Sequence, residues 1–94
     1  MEKEDFKVEL VGKELRSVKP GDKIVLLVLK NGVVYGGDGG RHLCEVLRIL
    51  NAGDIVYVWV RTVVGEVHLR VRFKMGGKHV VGSAFQTTEV ESED

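Results

Sequence analysis

Between Asp54 and Lys74 the chain alternates with a period of two. Val56, Val58, Val60, Val67, Leu69, Val71 and Phe73 fall on one set of positions, and Tyr57, Trp59, Arg61, His68, Arg70, Arg72 and Lys74 on the other. Successive side chains of a strand point to opposite sides of its sheet. The pattern therefore predicts two strands with an apolar face against a core and an aromatic, basic face turned outward. A two-residue turn at Val64-Gly65 fixes the register: Val63 opposite Glu66, Arg61 opposite His68, Trp59 opposite Arg70 and Tyr57 opposite Arg72.

Upstream, Phe6 to Val11 alternates in the same way, with Phe6, Val8 and Leu10 on one face. Pro20-Gly21 marks a turn, and Lys23 to Lys30 is a continuous apolar run whose length and β-branched content suit a central strand. Asn31-Gly32 tolerates positive φ at both positions, which predicts a type I′ hairpin turn and a returning strand Val33-Val34-Tyr35 stopped by Gly36-Gly37. From about Gly39 to Asn51 the period changes. Leu43, Val46, Leu47 and Leu50 keep the spacing of one helical stripe, Asp38 stands where a helix is capped, and Asn51-Ala52-Gly53 ends it. After Lys74, Met75-Gly76-Gly77-Lys78 predicts another tight turn, with His79 opposite Lys74 and a last strand from His79 to Phe85. Ser83 then joins the aromatic and basic face, and Phe85 either joins it or, past a bulge, enters the core.

The fold class expected is α+β: a curved antiparallel sheet or partly open small barrel of about five to six strands, with one helix between the third and fourth strands. A helix at that place in the order is similar to the oligonucleotide-binding barrel. Lys23 to Gly36, with its strand, its Asn31-Gly32 turn and its short aromatic strand ending in glycine, resembles the first motif of Sm-type RNA-binding rings. Beyond it, Gly37-Asp38-Gly39-Gly40 and the helical pattern stand where that family continues with a strand carrying its contacts, so the resemblance carries no functional residue across.

Charge changes the picture more than composition does. The 94 residues sum to zero net charge, yet residues 6–88 hold 13 Lys and Arg against 7 Asp and Glu. The compensating acid lies in tails 1–5 and 89–94, which flank a single domain over 6–88. An acidic C-terminal tail of that kind solubilises, competes for the protein's own basic groove, or contacts a protein partner.

A face where rings stand beside guanidinium groups suits unpaired nucleotides: bases stack on the rings and phosphates meet the charges, at about 1 to 3 kcal/mol per stacked base. The candidate binding residues for single-stranded DNA or RNA are Tyr57, Trp59, Arg61, His68, Arg70, Arg72 and Lys74. The alternative is a non-catalytic protein-interaction module, a homodimer burying the same face with the arginines around its rim. A third, plainer possibility is a solvated sheet face whose arginine stems cover its rings. Duplex recognition is disfavoured, since the one expected helix presents only Arg41, Glu45 and Arg48 outward.

Other chemistry finds little footing. The glycine-rich Gly36–His42 segment matches neither the Walker nor the dinucleotide spacing, and Asp38 would repel an anion, so it reads as a strand-to-helix connection in which Arg41 and His42 lie near enough to touch a nucleic-acid backbone. His42, His68 and His79 have no carboxylate pair or nucleophile elbow beside them, so no catalysis and no cofactor are expected. A metal site from His68 and His79 is opposed by Arg70, Arg72, Lys74 and Lys78. Cys44 is alone, which rules out an intramolecular disulfide, fits a reducing cytoplasm, and reads as a small core residue beside the helical stripe. No apolar run is long enough to span a bilayer, and the charged Met1–Asp5 opening is not that of a signal peptide.

Overall fold

The computed structural model describes residues 6–36, 38–64, 67–74 and 81–87. Seven strands run in chain order: β1 (Phe6–Val11), β2 (Lys23–Lys30), β3 (Val33–Val34), β4 (Arg41–Ala52), β5 (Ile55–Thr62), β6 (His68–Lys74) and β7 (Val81–Thr87). Short 3-10 turns at Leu15–Ser17 and Asp38–Gly40 are the only helical turns among the described residues.

Every long strand pairs antiparallel with the next, and β7 returns to β1, Phe6 opposite Ala84 and Val8 opposite Gly82. Since β1 also pairs with β2, the ring β1-β2-β4-β5-β6-β7 is a closed six-stranded barrel, with β3 as an extra strand on the end of β2. Closure satisfies the backbone groups that an open sheet would leave unpaired at its edges. Gly82 sits in the closing seam. A Cβ there would lie 2.2 Å from the Arg72 carbonyl oxygen, so only glycine lets β7 approach β6 this closely.

Alternation fills the interior. Phe6, Val8 and Leu10 from β1 and Ile24, Leu26 and Val28 from β2 meet the inward valines of β5, Leu69, Val71 and Phe73 of β6, and Ala84 of β7. The chain itself lies across one end. Leu15 and Val18 are both buried there, and the Gly21 N–H donates to the Val46 carbonyl at 2.7 Å while the Val46 N–H donates to that of Asp22 at 2.8 Å. The Asn31-Gly32 turn has positive φ at both residues, 55° and 80°, as a type I′ hairpin requires.

The expected helix over 39–51 does not form; a twelve-residue strand occupies its place. The reason is a β-bulge between Val46 and Arg48, where the register with β5 slips by one residue. Cys44 and Val46 point inward before it and Ile49 after it, so a period of two with one inserted residue imitates a period nearer to three. The bulge lies where β4 stops pairing with β2 and continues on β5 alone, a bend the closed barrel requires. The likeness in element order to the oligonucleotide-binding barrel rested on that helix and falls with it. Leu43 and Leu50, assigned to a buried stripe, are exposed. Arg41 and His42 open a strand, and the described Gly36, Gly39 and Gly40 lie between β3 and β4.

Candidate nucleic-acid interface

The register of the β5–β6 hairpin is the one its turn and alternation predict: Tyr57 opposite Arg72, Trp59 opposite Arg70 and Arg61 opposite His68. The Thr62 N–H donates to the Val67 carbonyl at 2.8 Å, in the same register. The expected pairs Val63–Glu66 and Lys74–His79 involve residues outside the described ones. On β7, Ser83 stands opposite Arg72 and Phe85 opposite Arg70, so Phe85 takes the outer face.

Cross-strand neighbours share a face, and the outer face of β4–β7 is therefore organised in rows. One row runs Arg48, Trp59, Arg70, Phe85, so that cations and rings alternate across four strands. The Arg48 guanidinium lies 4.5 Å from the centroid of the Trp59 ring, and that of Arg70 lies 5.1 Å from the centroid of Phe85. Both are within the range at which a guanidinium is attracted to a ring's negative face. The next row is Leu50, Tyr57, Arg72, Ser83, and continues to Lys7 of β1. Below the first row come Glu45, Arg61, His68 and Thr87; Lys74 stands opposite Ile55.

These rows divide the seven candidate residues by what they can do, with His68 half-buried opposite Arg61. Trp59 points outward but is only 9% exposed, because Arg48 lies over it and the Tyr57 ring leans on it with centroids 6.3 Å apart. It is a floor that holds its neighbours in place, and a base cannot stack on it without displacing Arg48. Tyr57 is half-buried and keeps part of its ring accessible. Arg72 and Lys74 are exposed. Arg61 is held by Glu45 in an ion pair and hydrogen bond, so its charge is matched locally. Arg70 is half-buried against Phe85, and its Nε has no hydrogen-bond partner among the described residues. The described parts of β5, β6 and β7 carry Arg61, Arg70, Arg72 and Lys74 and no Asp or Glu.

Two members of the surface were missed or left open by sequence reasoning. Arg48 was assigned to a helix, and only knowledge of the bulge brings it beside Trp59. Phe85 was left between two faces, and the uninterrupted β6–β7 register settles it outward.

Away from this face, Cys44 is fully buried on β4 and burial pushes its thiol up to about 12, so it is neutral and sheltered from reagents. No cluster of three or more metal-ligating side chains occurs among the described residues, and His79, one half of the histidine pair considered above, lies outside them.

No protein family, curated protein or solved structure matches the chain.

Proposed function

We propose that the protein binds single-stranded nucleic acid on the outer face of β5, β6 and β7. The observation that carries this reading is the pairing of Arg70, Arg72 and Lys74 with the Tyr57, Trp59 and Phe85 rings on three adjacent strands whose described residues include no carboxylate. A strand crossing the rows meets Arg70, Arg72 and Lys74 through its phosphates, and Tyr57 offers the accessible ring for a base. Trp59 works one layer below, fixing the orientation of Arg48 and Tyr57. Such a surface tolerates any base sequence, since every base has a π-face and every nucleotide a phosphate.

The test is fluorescence anisotropy of labelled single-stranded DNA, single-stranded RNA and duplex of equal length at low salt, with Tyr57→Ala and Arg72→Ala/Lys74→Ala as comparisons. Binding of single strands in preference to duplex, weakened by both variants, supports the reading. Absence of binding by every strand at low salt ends it.

A second reading, a protein-interaction module or homodimer, is favoured by a different wall. In a ring of six strands β2 lies three places from β6, on the opposite side of the barrel. The outward residues of β2 there are Val25, Leu27 and Leu29, flanked by exposed Val34 and Leu43 and rimmed by Lys7, Glu9 and Arg41. An apolar outer wall of this kind marks a contact surface, so self-association would use it and leave the basic face open. Sedimentation velocity across a hundredfold concentration range, with Leu43→Lys as the comparison, separates a dimer from a monomer.

A further inference from the structure

The two ends of the barrel differ. At one, Leu15 and Val18 share a pocket of about 160 Å³ with the polar Arg16 and Asn51; at the other, a pocket of about 180 Å³ is mostly apolar. Its walls are the inward side chains Phe6, Val28 and Leu69 together with Val67, and Val64 forms its outer lip. A lining of this composition loses packing contacts for as long as it stays empty, and an apolar void of roughly 150 Å³ in a protein core is large enough to take up benzene.

The rim is built from rings and held rigidly. The Tyr35 N–H donates to the Val28 carbonyl at 2.9 Å, which folds the end of the β2–β3 hairpin over the mouth. Tyr35 meets Phe6 edge to face with centroids 5.0 Å apart, and His42 lies 6.0 Å from the Tyr35 ring. A carbonyl only accepts, so the His42 Nε2–H donates to the Tyr35 carbonyl at 2.7 Å. Gly36 makes this possible twice over. Its φ of +83° suits glycine, and a Cβ there would stand 2.8 Å from His42 Cε1. The glycine-rich segment, which has no phosphate-loop spacing, thus has a structural task at this mouth.

The Thr62 hydroxyl of the lining is already engaged. It accepts from the Val67 N–H at 2.9 Å and donates to the Val64 carbonyl at 3.1 Å. Among the described residues, none of the lining side chains is a carboxylate, ammonium or guanidinium. A charged ligand would lose its hydration here with no carboxylate, ammonium or guanidinium among the described lining residues to replace it, whereas a flat uncharged ring finds Phe6, Tyr35 and apolar walls at its faces and edges.

We infer that the open end of the barrel is a binding site for a small uncharged aromatic molecule of one or two fused rings. The site is separate from the outward face of β5–β7 and does not rest on the nucleic-acid reading.

The test uses the full chain with labelled methyl groups, titrated with indole as the probe and indole-3-carboxylate as its charged counterpart. Expected are saturable shifts of the Val28, Val67 and Leu69 methyls, with indole binding at least tenfold tighter than the carboxylate. Val67→Phe, which fills the pocket from its wall, should weaken indole at least tenfold. Val64→Trp does the same from a position 86% exposed, where a larger ring leaves the fold intact and reaches over the mouth. Shifts that do not saturate, shifts confined to β5–β7 outward residues, equal affinity for the carboxylate, or unchanged affinity in Val64→Trp would each overturn the inference.

Discussion

If the β5–β7 face binds single strands through phosphates, its salt dependence is set by the number of cations that reach them. Arg70, Arg72 and Lys74 stand on one strand with no carboxylate among the described outward residues of β5–β7. Arg61 is excluded because Glu45 holds it, and Arg48 because it stands on β4, outside the β5–β7 face. With three phosphates neutralised and a slope of about −0.7 per phosphate for single strands, log affinity should fall with log salt at a slope of about −2.1. Between 50 and 200 mM salt that is a loss of about 20-fold. Arg72→Ala/Lys74→Ala leaves one contact, so the slope should flatten to about −0.7 and the loss over the same range to about threefold.

Arg61→Ala provides the internal check, because a guanidinium already matched by a carboxylate releases no counterion on binding. Its slope should equal that of the unaltered chain. The assay is anisotropy of a labelled oligonucleotide at five or more salt concentrations, each variant first shown to be folded by its unfolding transition. A wild-type slope near zero, or an Arg61→Ala slope that flattens as far as that of the double variant, would refute the assignment of cations to this face.

Four further outcomes follow from the packing. Trp59→Ala should lower stability by about 3 kcal/mol in urea unfolding, as for other large-to-small changes at covered aromatics, whereas a loss under about 1 kcal/mol would show that the ring is not packed as described. Tyr57→Ala should cost little stability but reduce oligonucleotide affinity by the worth of one stacked base, about 1 to 3 kcal/mol, and an unchanged affinity would remove Tyr57 from the site. Gly82→Ala forces a Cβ to within 2.2 Å of the Arg72 carbonyl oxygen and 3.0 Å of the Phe73 ring, so thermal melting should show destabilisation of about 2 kcal/mol or more at the β6–β7–β1 seam. The Cys44 thiol keeps its proton to about 12 in the folded chain, against 9.0 in the unfolded one, so between these values the unfolded state binds fewer protons and stability falls as pH rises, by roughly 1.4 kcal/mol per unit. Urea unfolding at pH 8 and pH 10 measures this, and Cys44→Ala should abolish the part of the pH dependence due to the thiol.

The hairpins were legible because two independent signals agree in each. In β5–β6, alternation fixes which residues face inward and the two-residue turn fixes the partner of each, so the pairs Tyr57–Arg72, Trp59–Arg70 and Arg61–His68 follow without knowledge of any other strand. Asn31-Gly32 did the same for β2–β3. Strand β4 had no such agreement. Its inward residues Cys44, Val46 and Ile49 straddle a bulge, and its leucines at 43 and 50 face outward, so the apolar pattern carried the spacing of a helix while the chain formed the strand that closes the barrel. The bulge is a demand of tertiary closure, and nothing local to residues 39–51 announces it.

That single misreading also accounts for the altered role of Trp59. Alternation places the ring outward, and outward it is; whether an outward ring is accessible depends on the neighbouring strand, and on one side that neighbour is β4. With β4 read as a helix, Trp59 lies at the margin of the sheet, open to a ligand. With β4 as a strand, Arg48 lies opposite Trp59 and its guanidinium covers the ring. The proposed binding surface consequently shifts toward Tyr57, Arg72 and Lys74, which lie beyond Trp59 along the hairpin. A strand's own sequence specifies its two faces, but the cover over each face is supplied by residues paired across the sheet. Variants at Arg48 and Trp59 should therefore alter stability and binding together, whereas those at Arg72 and Lys74 should alter binding alone.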